Sequence, residues 1–81
     1  MQDQKTQLDI FCKNLTYLRK YNGISKKKMA TILRIGIKSL NQIEQGVMPP
    51  RVGIDILFYT AKYFSVRISR LLTEELQKVS D

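Results

Sequence analysis

The 81-residue sequence contains no histidine and no tryptophan, and only one cysteine, Cys12. Without histidine there is no imidazole for acid–base catalysis, and zinc loses its commonest nitrogen ligand. A single cysteine forms no internal disulfide, and a structural zinc site wants four ligands. No metal and no cofactor are therefore expected. No apolar run approaches the roughly 20 residues that a membrane helix needs. The segment Met1 to Gln7 is polar throughout and does not read as a signal peptide. A free thiol without an export signal leads to the expectation of a reducing cytoplasm. There is no glycine-rich phosphate loop, no internal repeat and no low-complexity segment. Glu74 and Glu75 are adjacent on an expected helix and so point apart, with no nucleophile in view. No catalytic residues are assigned, and an enzyme is not expected.

What is present in excess is positive charge. The chain has 14 basic and 7 acidic residues, a net charge of +7. Lys13, Arg19, Lys20, Lys26, Lys27, Lys28, Arg34 and Lys38 fall between Ile10 and Ile43, with no acid among them. That span carries +8, and the remainder −1. A nucleic acid, an acidic protein or an anionic membrane surface would each answer to such a patch. So would plain solvation, so charge by itself does not choose.

Hydrophobic spacing predicts five short helices around one core, a compact all-α domain. Leu8, Phe11, Cys12, Leu15 and Leu18 fall on one face of a first helix, with Thr6 as its cap and Asp9 in its first turn. Asn22 and Gly23 end it. Ser25 caps a second helix with Met29, Ala30 and Leu33 inward and Ile32 nearby. After Arg34-Ile35-Gly36, a third helix runs from about Ile37 to Gln45 with Leu40 and Ile43 inward. Gly46 stops it, and Val47 to Pro50 is a loop because consecutive prolines do not propagate a helix. A fourth helix is expected to bury Ile54, Leu57, Phe58, Ala61 and Phe64. A fifth is expected to bury Ile68, Leu71, Leu72, Leu76 and Val79. The boundaries follow: a flexible N-terminus over 1–5, a folded domain over 6–76 with its central motif at 25–46, and a tail over 77–81.

Helices two and three carry the functional information. A three-residue turn suits two helices crossing steeply. Ala30 is small where they approach, and Leu33, Ile35, Leu40 and Ile43 fill the angle between them. On the outward face of helix three, Lys38, Asn41, Gln42 and Gln45 form a stripe at i, i+3, i+4 and i+7. Amides and an amine suit base edges in the major groove, and no carboxylate lies on the stripe to repel phosphate. Any solvated helix face is polar too, but the tight turn before this one favours the base-reading interpretation. Lys26, Lys27 and Lys28 crowd the first turn of helix two, where cations oppose the helix dipole. A bound phosphate would reverse that penalty.

These segments together resemble the phage-repressor and Cro-like helix-turn-helix family, the xenobiotic-response-element type. The residues that carry the likeness are Leu15-Thr16-Tyr17-Leu18-Arg19-Lys20, Gly23-Ile24-Ser25, Met29-Ala30, Leu40-Asn41-Gln42-Ile43-Glu44-Gln45-Gly46, Ala61-Lys62-Tyr63-Phe64-Ser65-Val66 and Leu71-Leu72. The ordered set spans roughly Leu8 to Leu72. The resemblance implies a five-helix, lambda-repressor-like fold and a transcriptional regulator, a repressor, that binds double-stranded DNA through helix three. Ile37, Lys38 and Gln42 match the base-contacting positions, with Asn41 beside them. Lys26 matches the usual phosphate contact at the start of helix two. Lys27, Lys28, Gln45 and, from the loop, Arg51 are assigned to phosphate with it. Arg19 and Glu44 match a pair that forms a partly buried salt bridge between helices one and three.

Four departures qualify the likeness, and one of them is a loop from Val47 to Gly53 that is about two residues longer than usual. Arg34 stands where the family has glycine in the turn, and a left-handed non-glycine residue costs roughly 1 kcal/mol. Gly36 stands where serine or threonine caps helix three. Ile37 cannot donate a hydrogen bond, so its contact would be apolar, for example to a thymine methyl. Such regulators bind as two-fold dimers, and Leu72, Leu76 and Val79 are candidates for the contact between subunits or for this subunit's own core. The competing expectation is an interaction module of the same fold, an antitoxin or adaptor with a protein partner. RNA or membrane-surface binding through the basic half is a third. Membrane insertion is not expected, since the apolar faces are used in the core.

Overall fold

A computed structural model describes residues 3–50 and 52–79. The helices are α1 (Asp3–Tyr21), α2 (Lys26–Leu33), α3 (Ile37–Glu44), α4 (Asp55–Phe64), α5 (Ile68–Thr73) and α6 (Leu76–Val79). The described residues contain no strand, so the all-α expectation stands. α1 begins at Asp3, which leaves Thr6 inside its first turns rather than at its cap.

α1 runs through the centre, packing on α5, α3 and α6, while α2 packs on α3 and α4. Phe11, Cys12, Leu15 and Leu18 are buried along one face of α1, as their spacing predicts. Leu8, one turn earlier, is 44% exposed; it lies beyond the edge of the core. Burial raises the pKa of the Cys12 thiol, and the nearby Asp9 carboxylate pushes in the same direction. The thiolate that reacts with oxidants and metals is thereby disfavoured. At the end of α1, Gly23 adopts φ +64, and its N–H bonds the Lys20 carbonyl at 3.1 Å. The Ile24 N–H then reaches back to the Arg19 carbonyl at 2.9 Å, a turn that a side chain at Gly23 would strain.

Ser25 caps α2 with its hydroxyl, which accepts from the Lys28 N–H at 3.1 Å. Met29, Ala30 and Leu33 are buried beneath it. Arg34 then takes the left-handed conformation, φ 61 and ψ 42, that the departure from glycine put in question. The turn keeps its shape: Ile35 N–H bonds the Ala30 carbonyl at 3.0 Å. The Arg34 guanidinium lies over the Tyr59 ring, 4.7 Å from its centroid. That stacking offsets part of the backbone strain.

Gly36 caps α3 at φ −80 and ψ 162, with no side-chain hydrogen bond. Any residue adopts those angles, and a Cβ added there meets nothing within 4 Å. Gly36→Ser is therefore expected to stabilise the fold by about 1 kcal/mol, from a capping hydroxyl and a less flexible unfolded chain. In a domain of this size the melting temperature should rise by about 4–8 °C. An unchanged or lower midpoint in a thermal melt would reject the expectation.

α4 faces the core with a different edge from the one its sequence suggests. Ile56 and Thr60 are buried, while Ile54 and Phe58 are 66% and 54% exposed. Leu57, Ala61 and Phe64 are half-buried beside them. Thr60 can occupy an apolar site because its hydroxyl donates to the Ile56 carbonyl, 2.6 Å away. The last expected helix is also interrupted. Glu74 is extended (φ −113, ψ 134), and Glu74 and Glu75 separate α5 from α6 rather than lying on one helix. Leu71 and Leu76 are buried on either side of this break, and Leu72 is half-buried.

Asn14 is the residue that makes the break tolerable. It is 2% exposed, in the middle of the apolar face of α1. Its Nδ2 donates to the carbonyls of Leu71 and Glu74, each at 2.8 Å. Its Oδ1 accepts from the Leu76 N–H at 2.9 Å. One amide thus serves two carbonyls at the end of α5 and the first N–H of α6. Among the described residues no buried side-chain nitrogen or oxygen lacks a partner.

Candidate functional site

The outward surface of α2 and α3 gathers most of the residues singled out from sequence. Leu40 and Ile43 are fully buried, which fixes the rotation of α3. With those two turned inward, the opposite face carries Ile37 (45% exposed), Lys38 and Gln45, both exposed, and the half-buried Asn41 and Gln42. Gln45 closes α3 as its C-cap rather than extending it. The face presents an ammonium, three amides and one aliphatic side chain, with no carboxylate. It can donate and accept hydrogen bonds and make one apolar contact.

The first turn of α2 lies against this face through Lys26. Its Nζ donates to Asn41 Oδ1 at 2.9 Å and lies 4.0 Å from Glu44 Oε1. Glu44 is in turn gripped by Arg19, whose Nη2 donates to Oε1 at 3.1 Å and whose Nε donates to Oε2. The Arg19 Nη1 also holds the Ile24 carbonyl at 3.0 Å. The side chains of Arg19 and Glu44 are 12% and 8% exposed. The expected bridge between the first and third helices is present, and it also pins the residue that leads into α2. Arg19, Glu44, Lys26 and Asn41 form one polar chain across three helices.

The three lysines do not act as a unit. Lys26 sits against α3, Lys27 is exposed, and Lys28 lines a separate groove with Tyr21, Tyr63 and Arg70. Successive helical residues point about 100° apart, which separates them. Lys28 is thereby turned from the Lys26–Asn41 side and is a weaker phosphate candidate than its neighbours. Arg51 lies outside the described residues.

Sequence reasoning missed two contributors. Asn14 stands at i+3 from Phe11 and i−4 from Leu18, a polar residue on an apolar stripe, and that position was the available signal. The Lys26–Asn41 bond had no signal, because it depends on the angle at which α2 and α3 meet. Among the described residues no group of His, Cys, Asp and Glu side chains could hold a metal ion. None of the described helices is long and apolar enough to cross a membrane. No protein-family model matches the chain, and no curated protein or solved structure is found to be similar to it.

Proposed function

We propose that this chain is a double-stranded DNA-binding transcriptional regulator of the lambda-repressor-like type, a repressor acting in the cytoplasm. In this reading α3 enters the major groove, and Ile37, Lys38, Asn41 and Gln42 meet base edges. Lys26, Lys27 and Gln45 meet phosphate. The observation that carries it is the carboxylate-free face of α3, set rigidly against α2 by the Arg34–Gly36 turn and the buried Leu40 and Ile43. The +8 charge between Ile10 and Ile43 supplies long-range attraction to a polyanion.

Selection from a randomised double-stranded DNA library, followed by salt titration of the retained site, tests it. Enrichment of one site with affinity falling steeply as salt rises is the expected result. In the Lys38→Ala/Gln42→Ala double variant, affinity for that site should fall roughly 100-fold, while thermal stability stays put. Salt-sensitive retention with no enriched sequence would remove base reading and leave only phosphate binding.

A two-fold homodimer on paired half-sites belongs to the same proposal. Leu76 is not available for it, being buried in its own subunit's core. The side chain of Val79 lies outside the described residues. A monomer mass at high concentration, both with and without the selected site, would dismiss the dimer. A second reading, an interaction module such as an antitoxin or adaptor, is favoured by Ile54, the N-cap of α4, and Phe58, one turn further on, both exposed. It becomes the leading one if no DNA site is enriched.

A further inference from the structure

We propose that Lys26 sets the base preference of Asn41, making it a reader of guanine rather than of adenine. The inference rests on α3 reading base edges.

The Lys26 Nζ donates to Asn41 Oδ1 at 2.9 Å. A lysine ammonium has three donors and no acceptor. The oxygen of the Asn41 amide, not its nitrogen, must therefore face the lysine. Chemistry settles the orientation of an amide whose two ends look alike by shape. Lys26 is also held in place, 4.0 Å from the Glu44 carboxylate that Arg19 grips from the other side.

Asparagine pairs with adenine by using both ends of its amide. Its oxygen accepts from the N6 amino group while its nitrogen donates to N7. Lys26 removes half of that scheme. It occupies one lone pair of Oδ1, and it sets a full positive charge beside the other. A base amino group approaching Oδ1 would meet that charge. What Asn41 can still offer is its Nδ2 hydrogens, and of the two further N–H groups on the Lys26 ammonium one can stand beside them while the other remains for phosphate. This donor-only pair matches the guanine edge, where N7 and O6 both accept. Thymine offers one acceptor, O4, and is the weaker match.

Wild type, Lys26→Met and Asn41→Ala are each selected against the same randomised double-stranded library. The position at which Asn41→Ala loses its preference identifies the base pair that Asn41 reads. Wild type should favour G·C over A·T there by roughly tenfold or more. In Lys26→Met that ratio should fall to within roughly threefold or reverse toward adenine. The other positions should weaken uniformly, as expected for a lost positive charge. The Lys26 side chain is 48% exposed, so the methionine variant should melt like wild type, which circular dichroism verifies. The inference is overturned if Lys26→Met keeps the wild-type ratio, if wild type prefers adenine at that pair, or if Asn41→Ala changes no position. A wild type that enriches no site at all overturns DNA reading itself, and this inference with it.

Discussion

Asn14→Ala is expected to cost about 3 kcal/mol, a large share of the stability of a small domain. The substitution removes three hydrogen bonds at once. It leaves the carbonyls of Leu71 and Glu74 and the N–H of Leu76 without their partner, in a part of the core that water does not reach easily. With a urea slope near 1 kcal/mol per M, the unfolding midpoint should drop by roughly 3 M. Asn14→Asp is the sharper probe, because it changes shape very little. It keeps the acceptor for Leu76 but aims a carboxylate at two carbonyl oxygens. Those oxygens disfavour the charged form, so the folded-state pKa of Asp at this site lies above the unfolded value of about 3.9. A raised folded pKa means stability that is present at low pH and lost as pH rises through that pKa. The variant should therefore be closest to wild type at low pH and furthest from it at neutral pH. A loss below about 1 kcal/mol for Asn14→Ala would show that the α5–α6 junction does not depend on this amide.

Glu44→Ala should come next, at about 2–3 kcal/mol. It strands the Arg19 guanidinium at 12% side-chain exposure and removes the carboxylate beside Lys26. The figure lies at or below the low end for a broken buried pair because Arg19 keeps the Ile24 carbonyl and some solvent. Replacing both partners, with Arg19→Met and Glu44→Leu together, should recover most of the loss, since no charge is then left unpaired. Urea unfolding of the two single variants and the double variant closes the cycle. Equal losses for Glu44→Ala and the double variant would mean that the bridge contributes through packing rather than charge.

The parts of the fold that local spacing controls were readable in the sequence. Phe11, Leu15, Met29, Ala30, Leu33, Leu40 and Ile43 all lie inside, and Ser25 caps α2 as its chemistry suggests. The Arg19–Glu44 bridge was reachable only through the family resemblance, since nothing in spacing alone joins residues 25 apart. α4 was misread because periodicity counts apolar residues and not their destinations. Ile54, Leu57, Phe58, Ala61 and Phe64 make a convincing stripe, yet Ile56 and Thr60 are the buried residues, and only packing against α2 and α5 decides which edge turns inward. A threonine that bonds its own helix carbonyl does not count as apolar on any scale, yet it is fully buried. The break at Glu74-Glu75 was hidden for a related reason. Both are good helix formers, and the partner that compensates the interruption, Asn14, lies about 60 residues away in the chain.

For the candidate site, the identity of the α3 stripe was legible because it needs only one helix and its period. The division among Lys26, Lys27 and Lys28 was not, because a first turn points its side chains in several directions and only the neighbouring helices distinguish them. The same holds for Lys26 and Asn41, whose bond spans the turn.

The Asn14 junction also bears on time. Its hydrogen bonds close loops of 57 to 62 residues, most of the chain, whereas the α2–α3 unit closes over fewer than 20. Loop-closure entropy rises with span, so the pairing of α1 with α5 and α6 is expected late in folding, and a φ-value near zero for Asn14→Ala would bear that out. A contact made after the transition state governs how long the native state lasts rather than how fast it forms. On that expectation Asn14→Ala speeds unfolding more than it slows folding, which would make Asn14 a latch on the lifetime of the folded chain.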